Sequence, residues 1–248
     1  MTRIAVISDV HGNLPALEAV TADITRRGVD RVVNLGDHAS GPLWPAETVA
    51  LLIQQPWHQI AGNCDRQLVR QPPTEHGASE RFAFERLSDG QLQWLAALPG
   101  TLRVVDEILL FHGTPVDDEA YFLEVVEQRR VRLATPDELT QRLGGFTEPV
   151  VLCGHSHIPR VVQLGATLIV NPGSVGLPAY DHDDPTPHVM ETGAPDARYA
   201  LLDQGKDGWR AQLIAVPYDH RAASKQARRN GRTDWAFSLE TGHAKSKT

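Results

Sequence analysis

The chain has 248 residues, 41% hydrophobic and 22% charged, a composition typical of a globular protein with enough length to bury a full core. A formal charge of −7 argues against broad nucleic-acid binding, because phosphate backbones are held by clustered Lys and Arg. Two cysteines are too few for a disulfide framework, and no apolar run approaches the roughly 18 residues of a membrane span, so a soluble, cytoplasmic protein is expected.

The opening apolar run is too short for a signal peptide and reads as a strand, Arg3 to Ser8. Leu14 to Arg27 has helical spacing, with Asn13 as N-cap, Pro15 in the first turn and Gly28 as the stop. Arg31 to Leu35 is apolar again and completes a βαβ unit, followed by a helix over Pro45 to Gln54 and a short strand over Trp57 to Ala61. Between Glu80 and Leu98 the apolar spacing predicts two helices broken around Ser88-Asp89-Gly90. Thr101 to Phe111 reads as a hairpin turning near Asp106-Glu107, Pro136 to Leu143 as a helix, and Pro149 to Cys153 as a buried strand. A second hairpin joins Val161–Leu164 to Thr167–Val170 through Gly165.

Pro172 to Asp196 is rich in Gly, Pro, Asp and His and is expected to be a long loop. Arg198 to Leu202 and Trp209 to Val216 are strand-like, Arg221 to Arg229 is expected to be the last helix, and a disordered polar tail is expected from about Thr241. Parallel units first and hairpins later predict an α/β fold of two sheets packed face to face with helices outside. No linker divides the sequence, so one domain over residues 1–248 is expected.

Histidine is the outlier in this composition, with eleven copies. Five polar clusters each follow a strand-like run: Asp9-Val10-His11, Gly36-Asp37, Gly62-Asn63-Cys64-Asp65, Phe111-His112-Gly113 and Gly154-His155-Ser156-His157. Strand ends are where ligand sites form in α/β folds, so the clusters can converge. Within Asp-x-His and His-x-His, both side chains face one way if the backbone stays extended. Carboxylate, imidazole and amide donors suit Mn, Fe, Zn, Ni or Co better than a metal that prefers sulfur. Two such ions, about 3.5–4 Å apart, would hold a hydroxide and clamp a phosphoryl group. They would also supply the positive field that the acidic chain lacks.

These motifs, DxH, GD, GN, a lone H and GHxH in that order from Asp9 to His157, resemble those of the calcineurin-like metallophosphoesterases. The segments Asp9-Val10-His11-Gly12-Asn13, His112-Gly113-Thr114-Pro115 and Asn171-Pro172-Gly173-Ser174-Val175-Gly176 look like the small prokaryotic phosphodiesterase branch. The resemblance implies a four-layer α-β-β-α sandwich and a centre of two divalent metal ions, Mn first, with Fe, Zn, Ni, Co or Mg as alternatives. It implies one ion on Asp9, His11 and His157, the other on Asn63, His112 and His155, and Asp37 as the bridge. A metal-bridging hydroxide would then attack the phosphorus of a small, nucleotide-like phosphodiester or phosphoanhydride, with no membrane partner and self-association left open.

Two positions depart from the family pattern. Cys64 stands where many relatives carry the histidine thought to protonate the leaving group, and Ser40 where many carry an acidic residue. A thiol of ordinary pKa near 8.5 is a weak donor, and Cys64 reads equally as a packing residue. His38 or His182 are the candidates to replace the missing acid, and His182, within Asp181-His182-Asp183-Asp184, is also a candidate substrate contact or part of a lid. Lacking a strong acid, the site is expected to favour leaving groups of low pKa, such as anhydrides, aryl diesters and nucleotides. The competing readings are a phosphomonoesterase and a non-catalytic scaffold of the same fold.

Overall fold

A strand that is apolar over consecutive positions, as at Ile4 to Ile7, needs cover on both faces, and this one finds it. In the computed structural model, which describes residues 2–128, 130–183 and 186–245, β1 (Arg3–Ile7) leads to α1 (Leu14–Arg27), β2 (Arg31–Asn34), α2 (Pro45–Ile53) and β3 (His58–Gln59). Three helices follow, α3 (Asn63–Arg70), α4 (Ala78–Phe84) and α5 (Asp89–Ala97), then β4 (Thr101–Val104) and β5 (Ile108–Phe111). A hairpin of β6 (Glu124–Glu127) and β7 (Arg130–Leu133) precedes α6 (Pro136–Leu143), β8 (Val150–Leu152), β9 (Arg160–Leu164) and β10 (Thr167–Asn171). The remaining elements are a hairpin of β11 (Ala179–His182) and β12 (His188–Glu191), the long pair β13 (Ala197–Gly205) and β14 (Gly208–Val216), and helices α7 (His220–Arg229) and α8 (Thr233–Thr241).

Two mixed five-stranded sheets result, ordered β14-β13-β1-β2-β3 and β4-β5-β8-β10-β9. Within the first, β1, β2 and β3 run parallel while β13 pairs antiparallel to β1; within the second, β5, β8 and β10 run parallel. Side chains alternate along each strand and so sort into layers. Ile4, Val6, Val33, Leu35 and Ile60 of the first sheet meet Ile108, Leu110, Val150, Leu152 and Val170 of the second. From the opposite faces, Ala5 and Ile7 pack on Leu17, Val20 and Ile24 of α1, and Leu109, Phe111 and Val151 pack on Leu139 and Leu143 of α6. This is the α-β-β-α sandwich expected from the sequence. No helix among the described residues is long and apolar enough to cross a membrane.

Three expectations need correction. Residues 172–196 are not a structureless loop, because Ala179–His182 and His188–Glu191 pair as a hairpin; its Asp184 and Pro185 lie outside the described residues. Arg221–Arg229 is not the last helix, since α8 follows and buries Trp235, Ala236 and Leu239 against Leu43, Leu177, Ala223 and Ala227. The expected tail is held as far as it is described: Gly242 caps α8 in a left-handed conformation and the Ala244 N–H donates to Glu191. Its last three residues, 246–248, lie outside the described residues. In each case a polar segment takes its structure from what it packs on, which local composition does not report.

Candidate metal centre

The motif loops leave the carboxyl ends of β1, β2, β5 and β8 and lock onto one another by main-chain bonds. The N–H groups of Asp9, His11 and Gly12 donate to the carbonyls of Gly36, Asp37 and His38, each at 2.9 Å. The expectation of extended Asp-x-His and His-x-His backbones fails here. Asp9, His11, Asp37, His155 and His157 all lie in the left-handed region, with φ of 56°, 49°, 57°, 67° and 59°. A non-glycine residue costs about 1–2 kcal/mol in that region, and such strain gathers at functional sites. Two glycines make the approach possible. A Cβ on Gly62 would strike the Asp37 carboxylate, and one on Gly154 would strike Ser8 and sit 3.0 Å from Asp9 Oδ2.

Of the expected ligand side chains, Asp9, His11, Asp37, His112 and His157 converge closely. Asp9, His11 and His157 offer donor atoms within 4.8 Å of one another, and so do Asp9, Asp37 and His112. His157 Nε2 is 3.2 Å from Asp9 Oδ1, and His112 Nε2 is 3.4 Å from Asp37 Oδ2. The His155 ring stands 5.2 Å from that of His112, and Asn63 opens the cavity side of the cluster. Asp9, Asp37, His11, His112 and His157 are buried.

Each imidazole is oriented by a main-chain carbonyl. The Nδ1 atoms of His11, His112 and His157 lie 2.8, 2.7 and 2.7 Å from the carbonyls of Ser40, Leu35 and Leu177, while His155 Nε2 lies 2.8 Å from that of Glu119. A carbonyl only accepts, so each of those nitrogens carries a proton, and wherever the ring is neutral its other nitrogen presents a lone pair. His11 Nε2 and His157 Nε2 then face each other bare at 3.2 Å, a repulsive arrangement unless a cation lies beside them. Asp9 Oδ1, Asn63 Oδ1 and His112 Nε2 are buried with no hydrogen-bond partner among the described residues. Oriented rings and orphaned oxygens are what a bound metal ion requires of its surroundings.

The electrostatics point the same way. Burial opposes ionisation of Asp9, yet the His157 and His112 imidazoles outweigh it and hold the carboxyl at about 2. Burial likewise opposes a charge on His112, but Asp37 and Asp9 overcome it and raise the ring to about 10, so the cluster attracts positive charge. His155, farther from the carboxylates, is pulled down to about 4 by burial and by His112.

The cluster floors a cavity of about 380 Å³. Cys64 and His182 line it, but His38 does not. The His38 ring is fully buried on Trp94, its Nδ1 2.7 Å from Asp65 Oδ2, so its position does not meet the expectation of a proton donor. Burial and the nearby Asp37 and Glu80 carboxylates push the Cys64 thiol up and keep it protonated. Glu80 is a site residue that sequence reading missed. It arrives on α4, lines the cavity and accepts a 2.5 Å hydrogen bond from Ser40, the residue that replaces the family's acid. Only its distance of forty residues from Ser40 hid it. The β11–β12 hairpin was also underestimated. Tyr180 packs on His157, Tyr121 stacks on His155, and the Tyr121 hydroxyl donates to His188.

An acid–imidazole cluster at the strand ends of a two-sheet sandwich defines the metallophosphoesterase class. Residues 2–194 match the calcineurin-like phosphoesterase superfamily domain, and the chain belongs to that metal-dependent superfamily. It is similar to a metallophosphoesterase from Sphaerobacter thermophilus, with a TM-score of 0.74 and 25% identity, covering 97% of this chain and 99% of that one. The fold is shared with a hypothetical protein from Pyrococcus horikoshii, at a TM-score of 0.74 and 19% identity over 99% and 100% of the two chains. An uncharacterized protein of Methanocaldococcus jannaschii is 26% identical over 260 residues, 94% of this chain and 95% of its own length. Family membership supports a phosphoric ester hydrolase.

Proposed function

We propose that the chain is a two-metal phosphoesterase that hydrolyses phosphodiester or phosphoanhydride bonds of nucleotide-like substrates, with Mn as its preferred metal. The observation that carries the reading is the set of four imidazoles, each oriented by a main-chain carbonyl, three of which bring the other nitrogen beside a buried carboxylate: His11 and His112 at 3.7 and 3.4 Å from Asp37, and His157 at 3.2 Å from Asp9. Asp9, His11 and His157 would hold one ion, Asn63, His112 and His155 the other, with Asp37 between them. When bound, such ions supply a nucleophile at neutral pH and neutralise charge on the phosphoryl oxygens.

The protein's own contribution is placement. Asp37 is held in register by the Cys64 N–H at 2.9 Å, and the Tyr121–Tyr180 pair fixes the two GHxH rings from above. The cavity volume falls within the range for nucleotide-sized ligands, and Trp235, Tyr121 and Tyr180 give it apolar walls on which a base can rest. Glu80 returns a carboxyl group to the wall where the sequence shows no acid, so proton transfer to a leaving group rests on Glu80 or on solvent rather than on His38.

A Mn-supplemented screen across aryl diesters, cyclic nucleotides, dinucleoside polyphosphates and alkyl phosphate monoesters tests the reading. Hydrolysis of a diester or anhydride, abolished by Asp37→Ala, is expected. Faster turnover of alkyl monoesters would favour a phosphomonoesterase. Purified chain that retains no metal and hydrolyses nothing after Mn addition would favour a scaffold.

A further inference from the structure

The wall opposite the ligands comes from α8 and the turn before it, beyond the matched family region. Its most constrained member is Arg232. Arg232 Nη1 donates to Ser79 Oγ at 2.8 Å, Nε to Asp234 Oδ1 at 3.0 Å, and Nη2 to Asp234 Oδ2 at 2.7 Å. Its guanidinium lies 5.5 Å from the centre of the Trp235 ring. That same indole meets His11 edge-on at 5.8 Å. Arg232 and His11 of the metal centre therefore both neighbour one indole, within one cavity.

We propose that Arg232 anchors a second anion subsite, holding a non-scissile phosphate of the substrate one indole away from the metal ligands. The inference rests on the phosphoesterase reading and names the substrate class within it: molecules with at least two linked phosphates.

Three arguments carry it. First, a guanidinium has five N–H donors in a planar fork, and the contacts above leave one N–H on each terminal nitrogen without a partner among the described residues. N–H groups left on both terminal nitrogens can donate to phosphate oxygens. Second, the side chain is already fixed by Ser79, Asp234 and Trp235, so binding orders nothing that is not ordered beforehand. Third, the cavity lining carries the carboxylates of Asp37, Glu80 and Asp234, against Arg232 and Lys245, of which Arg232 is the one held by hydrogen bonds. A second phosphate entering there is repelled unless a cation receives it, and Arg232 is the cation the structure holds in place. Because Asp234 offsets part of its charge, Arg232 holds an anion weakly alone and well only when the metal centre holds the other end. Such an element discriminates among substrates rather than capturing any anion.

The test compares the full-length, Mn-loaded chain on bis(p-nitrophenyl) phosphate, with one phosphate, and on diadenosine tetraphosphate, with several. Arg232→Gln should lower the kcat/KM ratio of tetraphosphate over diester about tenfold, the loss of one charge-assisted contact, chiefly through KM. Arg232→Lys should recover part of that loss. A ratio that changes less than threefold in Arg232→Gln overturns the inference, as does a wild-type chain that cleaves the diester and leaves the tetraphosphate intact. Should Arg232→Gln fail to fold, Asp234→Asn frees the guanidinium instead and should raise the ratio; a fall overturns the proposal. If neither substrate is cleaved, the phosphoesterase reading fails on its own. The subsite is then judged by calorimetric titration of methylenediphosphonate into the Mn-loaded chain. About tenfold weaker binding in Arg232→Gln supports it, and equal or undetectable binding overturns it.

Discussion

Asp65 carries no metal-ligand role in the motif reading, yet its carboxylate ties two motif loops together. Oδ2 accepts from the Asp37 N–H at 2.8 Å, the Gly62 N–H at 3.0 Å and His38 Nδ1 at 2.7 Å, and Oδ1 accepts from the His38 N–H at 3.0 Å. The residue is 1% exposed, so water does not readily replace it. Asp65→Ala orphans all four donors. At about 1–3 kcal/mol for each buried donor left unpaired, and allowing for relaxation, the loss is on the order of 4–6 kcal/mol, comparable to the whole stability of a small domain. Asp65→Asn is the sharper probe. Its single amide oxygen can occupy only one of the two positions, so the NH₂ group must face a donor whichever way the side chain turns. A loss of about 1.5–3 kcal/mol is expected. Urea unfolding of the chelator-treated chain, followed by circular dichroism, measures it free of any contribution from bound metal. Because Asp65 fixes the main chain of Asp37, Mn affinity should also fall by about 10- to 100-fold. If Asp65→Asn unfolds within about 0.5 kcal/mol of the wild type and binds Mn equally well, the carboxylate is not what holds the two loops, and the reasoning fails.

Two further perturbations follow from the same kind of accounting. Gly62→Ala places a methyl against the Asp37 carboxylate and 2.7 Å from the Asp37 main-chain nitrogen, so it should cost about 1–3 kcal/mol and weaken Mn binding. Gly90→Ala, in α5 with nothing within 4 Å of the new methyl, is the neutral control, and equal melting temperatures for the two variants would contradict the packing. Asp23 accepts from the Tyr199 hydroxyl at 2.6 Å and from Arg27 Nε at 2.7 Å. Burial raises its carboxyl, but these two partners outweigh it and its pKa is lowered in the fold. A depressed carboxyl stabilises the fold above its unfolded value, near about 4, and that stabilisation disappears as pH falls through the folded value. Between about pH 5 and pH 3 the wild type should therefore lose more melting temperature than Asp23→Asn, and parallel losses would reject the assignment.

Much of this protein is written in short-range pattern. Runs such as Ile4 to Ile7 and Val150 to Leu152 are apolar at consecutive positions, and that alone demands strands covered on both faces. Because each run ends in Asp, His or Asn, the order of the motifs also places those residues together at the strand ends, where they are found. Pattern fails where a residue's surroundings come from far along the chain. The left-handed turns at Asp9 and His155 arise from loops pressed against one another, so an extended Asp-x-His was the wrong geometry although the residues named do come together. His38 looks like a free acid beside Asp37 until Asp65 and Trp94 are seen to enclose it. Glu80 and Arg232 carry no motif, and only the packing of α4 and α8 over the cavity brings them to it. Alternating side-chain chemistry selects which elements form and which way their ends face, because those preferences are local. Which carboxylate stands on Ser40, and which cation shares the indole with His11, depends on contacts that close over tens to hundreds of residues, and only the folded chain decides them.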